Sequence, residues 1–249
     1  MLNCLYKVNE VPFGTLEQFG ITQEMVEDLP ENILEDILNG FRSPLLPVIT
    51  KDDRGNTVRA RARFLLFRND DGDLDILFYP RMLRCELGDY TEEEQTLLRE
   101  GKAIISHAPD DLNLKCFVQI DPDTNQVIYV PTPVIGKNLA TMVSHFRPSA
   151  DEIRLIQQGE AVTFHIGEEP ITAGIDLRSR KGFRIVSGTE RDWKAEVQSS
   201  PLERFNFGIC GCWVKGEDGM LDYVHESEYT DEILDAMEQE VQRKGGLKR

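Results

Sequence analysis

The chain has 249 residues, of which 28 are basic and 44 acidic, for a formal net charge of −16. Apolar residues make up 40%, enough to fill real cores, but their runs are short and none approaches the ~20 residues of a membrane helix. The charge disfavours general adhesion to phosphate backbones or anionic lipid, without excluding a local basic face.

The opening stretch MLNCLYKVNEVPFG lacks the basic start, apolar core and small-residue cleavage site of a signal peptide. Five cysteines (Cys4, Cys85, Cys116, Cys210, Cys212) form an odd set. Together these features predict a cytoplasmic chain whose thiols are mostly free. Its length allows one large domain or several small ones.

Residues 12–48 read as a cluster of short acidic helices. Thr15 is placed to cap the first and Gly20 to end it, and Thr22 to cap the second. Pro30 breaks that helix, and Ile33, Leu34, Ile37 and Leu38 recur at helical spacing before Asn39-Gly40. The period then changes. The runs NTVRARARFLLFR and LDILFYPRML flank NDDGD, whose Asp-Gly pair signals a tight hairpin. Alternation over 58–64 puts Arg59, Arg61 and Arg63 on one face and Val58, Ala60, Ala62 and Phe64 on the other.

The next stretch says the same thing twice. Thr91 aligns with Ser149, Leu97-Leu98 with Leu155-Ile156, Gly101 with Gly159, and Ile120-Asp121 with Ile175-Asp176. Each copy reads cap, helix, glycine, then three strands. Glu94 and Glu152 stand at capping-box spacing from Thr91 and Ser149. Gly101 and Gly159 suit the left-handed residue at which a helix turns into a strand. One such unit has little core of its own, so two copies are expected either to bury each other's open face or to extend one sheet. The connector VPTPVIGKNLATMVSHFRP is too apolar for a linker and predicts a short helix near Lys137–His145. After the second copy, FNFGICGCWVKGEDGMLDYV reads as a hairpin. Thr230 then caps a last helix with Ile233, Met237 and Val241 along one side.

The fold class expected is therefore α+β. The expected division is an N-terminal helical and hairpin module at 1–88, a first repeat with connector at 89–148, a second repeat at 149–194, and a C-terminal hairpin and helix at 195–249.

No residue pattern identifies a catalytic group or a cofactor, and the expectation is a protein that is not an enzyme. DPDTNQ (121–126) begins like a calcium loop but has Gln126 and Thr132 where that motif needs Gly and Glu, so a strand-to-strand turn is the better reading. Cys210 and Cys212 lack the second ligand pair of a structural zinc site. As alternate strand residues they are expected to pack on one face. His107, His145, His165 and His225 are scattered. The clearest electrostatic feature is basic: Arg178, Arg180, Lys181 and Arg184, continuing to Arg191 and Lys194, outnumber the acids of 171–194. This stretch and the Arg59/Arg61/Arg63 face are the candidate nucleic-acid contacts. The same cations equally suit pairing with the protein's own acidic helices, an acidic partner, or a solvated strand face, and these readings are preferred.

The pattern LEQFGITQEMVEDL…DILNGFRSPLLPV with its Asp-Gly hairpin resembles an uncharacterised domain family of Bacteroidetes conjugative transposons. The repeated [TS]-x-[ED]-x-x-x-L-[LI]-x-x-G-[KE]-A-[IV] pattern, with QIDPDTNQV, resembles a second uncharacterised family that occurs in tandem, sometimes in topoisomerase-associated chains. The two resemblances span residues 12–188 and carry no catalytic signature. They imply an interaction module of a mobile genetic element with a protein partner, and the short apolar runs predict no membrane contact. The alternatives are a nucleic-acid-binding accessory factor and an acidic inhibitor of a host defence enzyme.

Overall fold

A computed structural model describes residues 4–108, 111–196 and 202–246. Among these the chain forms eight α-helices and twelve strands, the strands gathered in four antiparallel three-stranded sheets. The α+β class is the one the alternating periods predict. No helix is long and apolar enough to cross a membrane among the described residues.

The N-terminal segment carries α1 (Phe13–Glu17), α2 (Gln23–Glu27) and α3 (Glu31–Leu38), then β1 (Leu46–Lys51), β2 (Thr57–Arg68) and β3 (Leu74–Pro80). Thr22 caps α2 by accepting from the Met25 amide at 3.3 Å. Pro30 does not merely break α2; it is itself the cap residue of α3. In α1 the cap position falls on Pro12 rather than Thr15, because proline's fixed φ already suits a helix start. β1 had no strand signal, since Pro47 interrupts its apolar run. It pairs with β2 alone and so lies at a sheet edge, where a missing N–H is tolerated.

Next come α4 (Glu92–Arg99), β4 (Ile104–Ala108), β5 (Asp111–Asp121), β6 (Gln126–Pro131) and α5 (Thr132–Phe146), followed by α6 (Ala150–Gln157), β7 (Val162–Ile166), β8 (Glu169–Ile175), β9 (Phe183–Ser187) and α7 (Glu190–Glu196). Both capping boxes close. Thr91 and Ser149 accept from the Glu94 and Glu152 amides, and those glutamates accept in return from the Thr91 and Ser149 amides at 2.9 and 2.6 Å. Gly101 and Gly159 both have positive φ, +81° and +90°. The connector helix α5 is longer than expected, because Pro133 falls in its first turn, where proline starts a helix rather than ending one.

The chain closes with β10 (Phe205–Phe207), β11 (Gly211–Lys215), β12 (Leu221–His225) and α8 (Asp231–Gly246). The expected hairpin is thus a three-stranded sheet. Thr230 Oγ1 accepts from the Ile233 amide, as a cap. Of the apolar stripe on α8 only Ile233 is buried; Met237 and Val241 are exposed.

These elements gather into two compact units: residues 1–81 with 200–249, and residues 82–199. The reason is core size. In the first unit the N-terminal residues Leu16, Ile21, Ile37 and Phe64 are buried together with Leu202, Trp213 and Leu221 from the end of the chain. Neither segment alone could enclose Trp213, which is fully buried and donates its indole N–H to the Met25 carbonyl at 2.9 Å.

In the second unit the repeats keep separate sheets, β4-β5-β6 and β7-β8-β9, and share a core instead. Phe117 and Ile128 of the first copy meet Ile156, Phe164 and Phe183 of the second, with Ile135, Leu139 and Met142 of α5 among them. The first sheet is covered on its other face as well, where Leu98, Ile104 and Val118 form a smaller core under α4. DPDTNQ is the β5–β6 turn: the Asp121 carboxylate accepts from the Asp123 amide and the Thr124 hydroxyl, both at 3.1 Å.

Candidate functional site

The basic residues singled out by the sequence fall in both units, and several are paired within their own unit. Arg59 is exposed on β2. Arg61, on the same face, is paired: its guanidinium binds Asp222 at 2.9 Å and donates to the Leu221 carbonyl. Arg63 donates to the Ser43 carbonyl at 2.8 Å. In the second unit, Arg178 and Arg184 converge on one buried carboxylate, Asp176, at 2.9 and 3.2 Å. Arg184 also donates to the Trp193 carbonyl and stacks 4.2 Å from that indole. Arg180 and Lys181 are exposed, and Lys194 pairs with Glu190 along α7. Internal pairing is therefore the fate of Arg61, Arg178 and Arg184, while Arg63 is held by a main-chain carbonyl.

A tightly held polar group in the first unit is one the sequence did not mark. Asp28 ends α2 and is 4% exposed. Its carboxylate accepts from the Ile209 amide at 2.6 Å, from the Cys210 amide at 3.0 Å and from the Tyr223 hydroxyl at 2.6 Å. The loop so held connects β10 to β11. It is closed by the Gly208 amide on the Gly211 carbonyl at 2.8 Å, and the Cys210 carbonyl accepts from the Glu226 amide at 3.0 Å.

Glycine is required on both sides of the grip. A Cβ on Gly208 would lie 2.2 Å from the Asp28 carboxyl carbon, and one on Gly211 would lie 2.5 Å from the Tyr223 ring. The backbone is thus drawn tightly onto Asp28 and Tyr223. The side chain that the loop carries goes the other way: Ile209 is 89% exposed. A lone exposed isoleucine is ordinary. One on a main chain fixed by a buried carboxylate is presented in a set position, and its binding costs little ordering entropy.

The electrostatics of the site are acidic. Partial desolvation raises the Cys210 thiol above its usual range, and the negative charges of Asp28, Glu24, Glu226 and Glu27 push the same way. Desolvation and the Asp28 hydrogen bond likewise raise Tyr223. Both shifts oppose ionisation, the wrong direction for a nucleophile. Cys212 is fully buried and its thiol is pushed up to about 11 by desolvation. Cys210 is only half-buried, so the two thiols do not form the packed pair that their spacing suggested.

Nothing in VEDLPE distinguishes Asp28 from the many carboxylates on helix faces. The available signal was the pair of glycines bracketing Ile209-Cys210, which marks a close approach of backbone to something else.

Residues 6–87 match the domain family described as "Protein of unknown function (DUF4099)". That segment includes Asp28 and runs through β3, so a domain of unknown function stands where the opening pattern placed an uncharacterised one. It takes in about a third of the chain and leaves the loop at 208–210 outside. No curated protein and no solved structure matches the chain.

Proposed function

We propose that the protein is a non-enzymatic interaction module and that the loop at 208–210 meets its protein partner. The observation that carries this reading is the exposed Ile209 side chain on a main chain gripped by buried Asp28. The exposed carboxylates Glu24, Glu27 and Glu226 act on the adjoining Cys210. A fitting partner therefore offers an apolar pocket for Ile209 with a basic rim, and its affinity falls as salt screens the rim. The raised Cys210 and Tyr223 groups argue against nucleophilic chemistry at this place. The transposon-like N-terminal pattern supports a setting in the cytoplasm of a cell that carries a mobile element.

The test is capture of partners by the tagged protein from a lysate of its own host, with and without nuclease treatment, beside Ile209→Asp and, as an exposed control in the other unit, Leu83→Asp. The expected result is a protein retained by the parent and by Leu83→Asp and lost with Ile209→Asp. Identical recovery by all three would overturn the role of the loop. Recovery abolished by nuclease would replace the reading with nucleic-acid binding.

A further inference from the structure

We infer that the second unit holds a binding site for a phosphate-bearing small molecule, in a cleft beside the C-terminal end of α4. The cleft has a volume of about 590 Å³, within the range of small-ligand sites. Three of its lining residues are Arg84, Arg99 and Arg178, and no aspartate or glutamate lines it. In a chain where acids outnumber bases by 16, Arg84 and Arg99 bring uncompensated positive charge to this space, while Arg178 is already paired with Asp176. An anion entering the cleft meets the charges of Arg84 and Arg99 without a competing carboxylate in the lining.

The arginines are held to different degrees. Arg178 is set by its two-pronged contact with Asp176, which spends Nε and Nη2. Arg99 is steadied by Gln95, which accepts from its Nη2 at 2.9 Å. Arg84 makes no side-chain hydrogen bond or ion pair among the described residues and is exposed. Planar guanidinium donors suit the paired oxygens of a phosphate.

A helix C-terminus ordinarily disfavours an anion, so the state of the α4 carbonyls matters. Those of Thr96, Leu97 and Leu98 accept from the amides of Glu100, Lys102 and Gly101, and that of Gly101 accepts from Gln119 Nε2. With these carbonyls occupied, the arginines dominate. Leu87, Leu98, Ile120 and Pro122 supply an apolar wall, which suits the organic part of a phosphate ester. This inference concerns a different unit from the loop at 208–210 and does not depend on the interaction reading.

The test is calorimetric titration of the full chain at low salt with adenosine 5′-monophosphate, pyrophosphate and a short single-stranded DNA. The variants are Arg84→Ala and Arg99→Ala, both at exposed positions, with circular dichroism to verify the fold. Saturable binding of the monophosphate or of pyrophosphate, weakened at least fivefold in either variant, is the expected result. The inference is overturned if neither small probe binds, or if binding ignores both substitutions. It is also overturned if only the DNA binds, which would assign the cleft to a nucleic-acid backbone.

Discussion

The Tyr223 hydroxyl donates to the Asp28 carboxylate at 2.6 Å, tying together residues 195 positions apart in the sequence. With the Ile209 and Cys210 amides on the same carboxylate, it attaches the end of the chain to the N-terminal helices. Tyr223→Phe removes one of the three donors and is expected to cost about 1–3 kcal/mol. Asp28→Ala strands all three and is expected to cost more. Urea unfolding followed by Trp213 fluorescence in a Trp193→Phe background reads the first unit by itself, which matters because a chain of two units need not unfold in one step. Equal stability of Asp28→Ala and parent would sink the latch.

The same grip controls a thiol. Asp28 is among the charges that raise Cys210, and it fixes the Cys210 backbone. In Asp28→Ala the thiol loses a negative neighbour and the loop gains freedom, so more thiolate exists at any pH below the thiol's own range. Iodoacetamide labelling at mildly alkaline pH is expected to speed up at Cys210. Cys212, fully buried and raised to about 11, is expected to label only as the unit unfolds. Mass spectrometry of the labelled peptides separates the two, and an unchanged Cys210 rate would count against the coupling.

The repeat supplies a matched pair of glycines with unequal surroundings. Both have positive φ, so alanine at either pays the left-handed penalty of about 1–2 kcal/mol. At Gly101 an added Cβ meets nothing within 4 Å, whereas at Gly159 it would lie 2.0 Å from the Ala103 carbonyl oxygen. Gly159→Ala is therefore expected to destabilise the second unit clearly more than Gly101→Ala. Unfolding read by Trp193 fluorescence in a Trp213→Phe background checks the order. If the two variants were equal, the close approach of the second copy's helix end to Ala103, just before β4, would be refuted.

Gln119 shows why the two copies are not interchangeable. It is buried, donates to the Gly101 carbonyl at 3.0 Å within the first copy, and accepts from the Leu177 amide of the second at 2.9 Å. Its counterpart in the second copy is Gly174, where a Cβ would crowd Trp193 and Ala161 at 3.0 and 3.1 Å. Gln119→Leu keeps the size of the side chain but leaves a carbonyl and an amide unpaired, at about 1–3 kcal/mol each. Faster hydrogen exchange at the Leu177 amide is the specific readout, and unchanged protection there would reject the link.

What could be read from the sequence was local. The capping boxes, the two glycine exits and the Asp-Gly hairpin each rest on residues within a few positions of one another, and the structure has them as read. Long-range events left no such trace. β1 is a strand because β2 lies beside it, despite Pro47. The last segment joins the first because Trp213 needs a core that only the N-terminal helices complete. The Arg61 and Arg63 face looks solvated in the alternation of β2, yet Asp222 and the Ser43 carbonyl meet it from elsewhere. Ile209 and Asp28 became a candidate site only once the fold placed them together.

Asp176 is 4% exposed and holds both Arg178 and Arg184, so it is a buried carboxylate whose charge is met by two cations. Asp176→Ala leaves two guanidinium groups without their counter-charge, a change of the class that costs about 3–5 kcal/mol. Arg184→Ala removes one cation and the stacking partner of Trp193, and is expected to destabilise in the same direction but less, since Arg178 remains. Arg59→Ala, at an exposed strand position, is expected to change stability by no more than about 0.5 kcal/mol. Unfolding midpoints of the three variants separate the cases. If Arg184→Ala proved as silent as Arg59→Ala, the Asp176 cluster would be a surface arrangement, and Arg184 would again be available for a phosphate backbone.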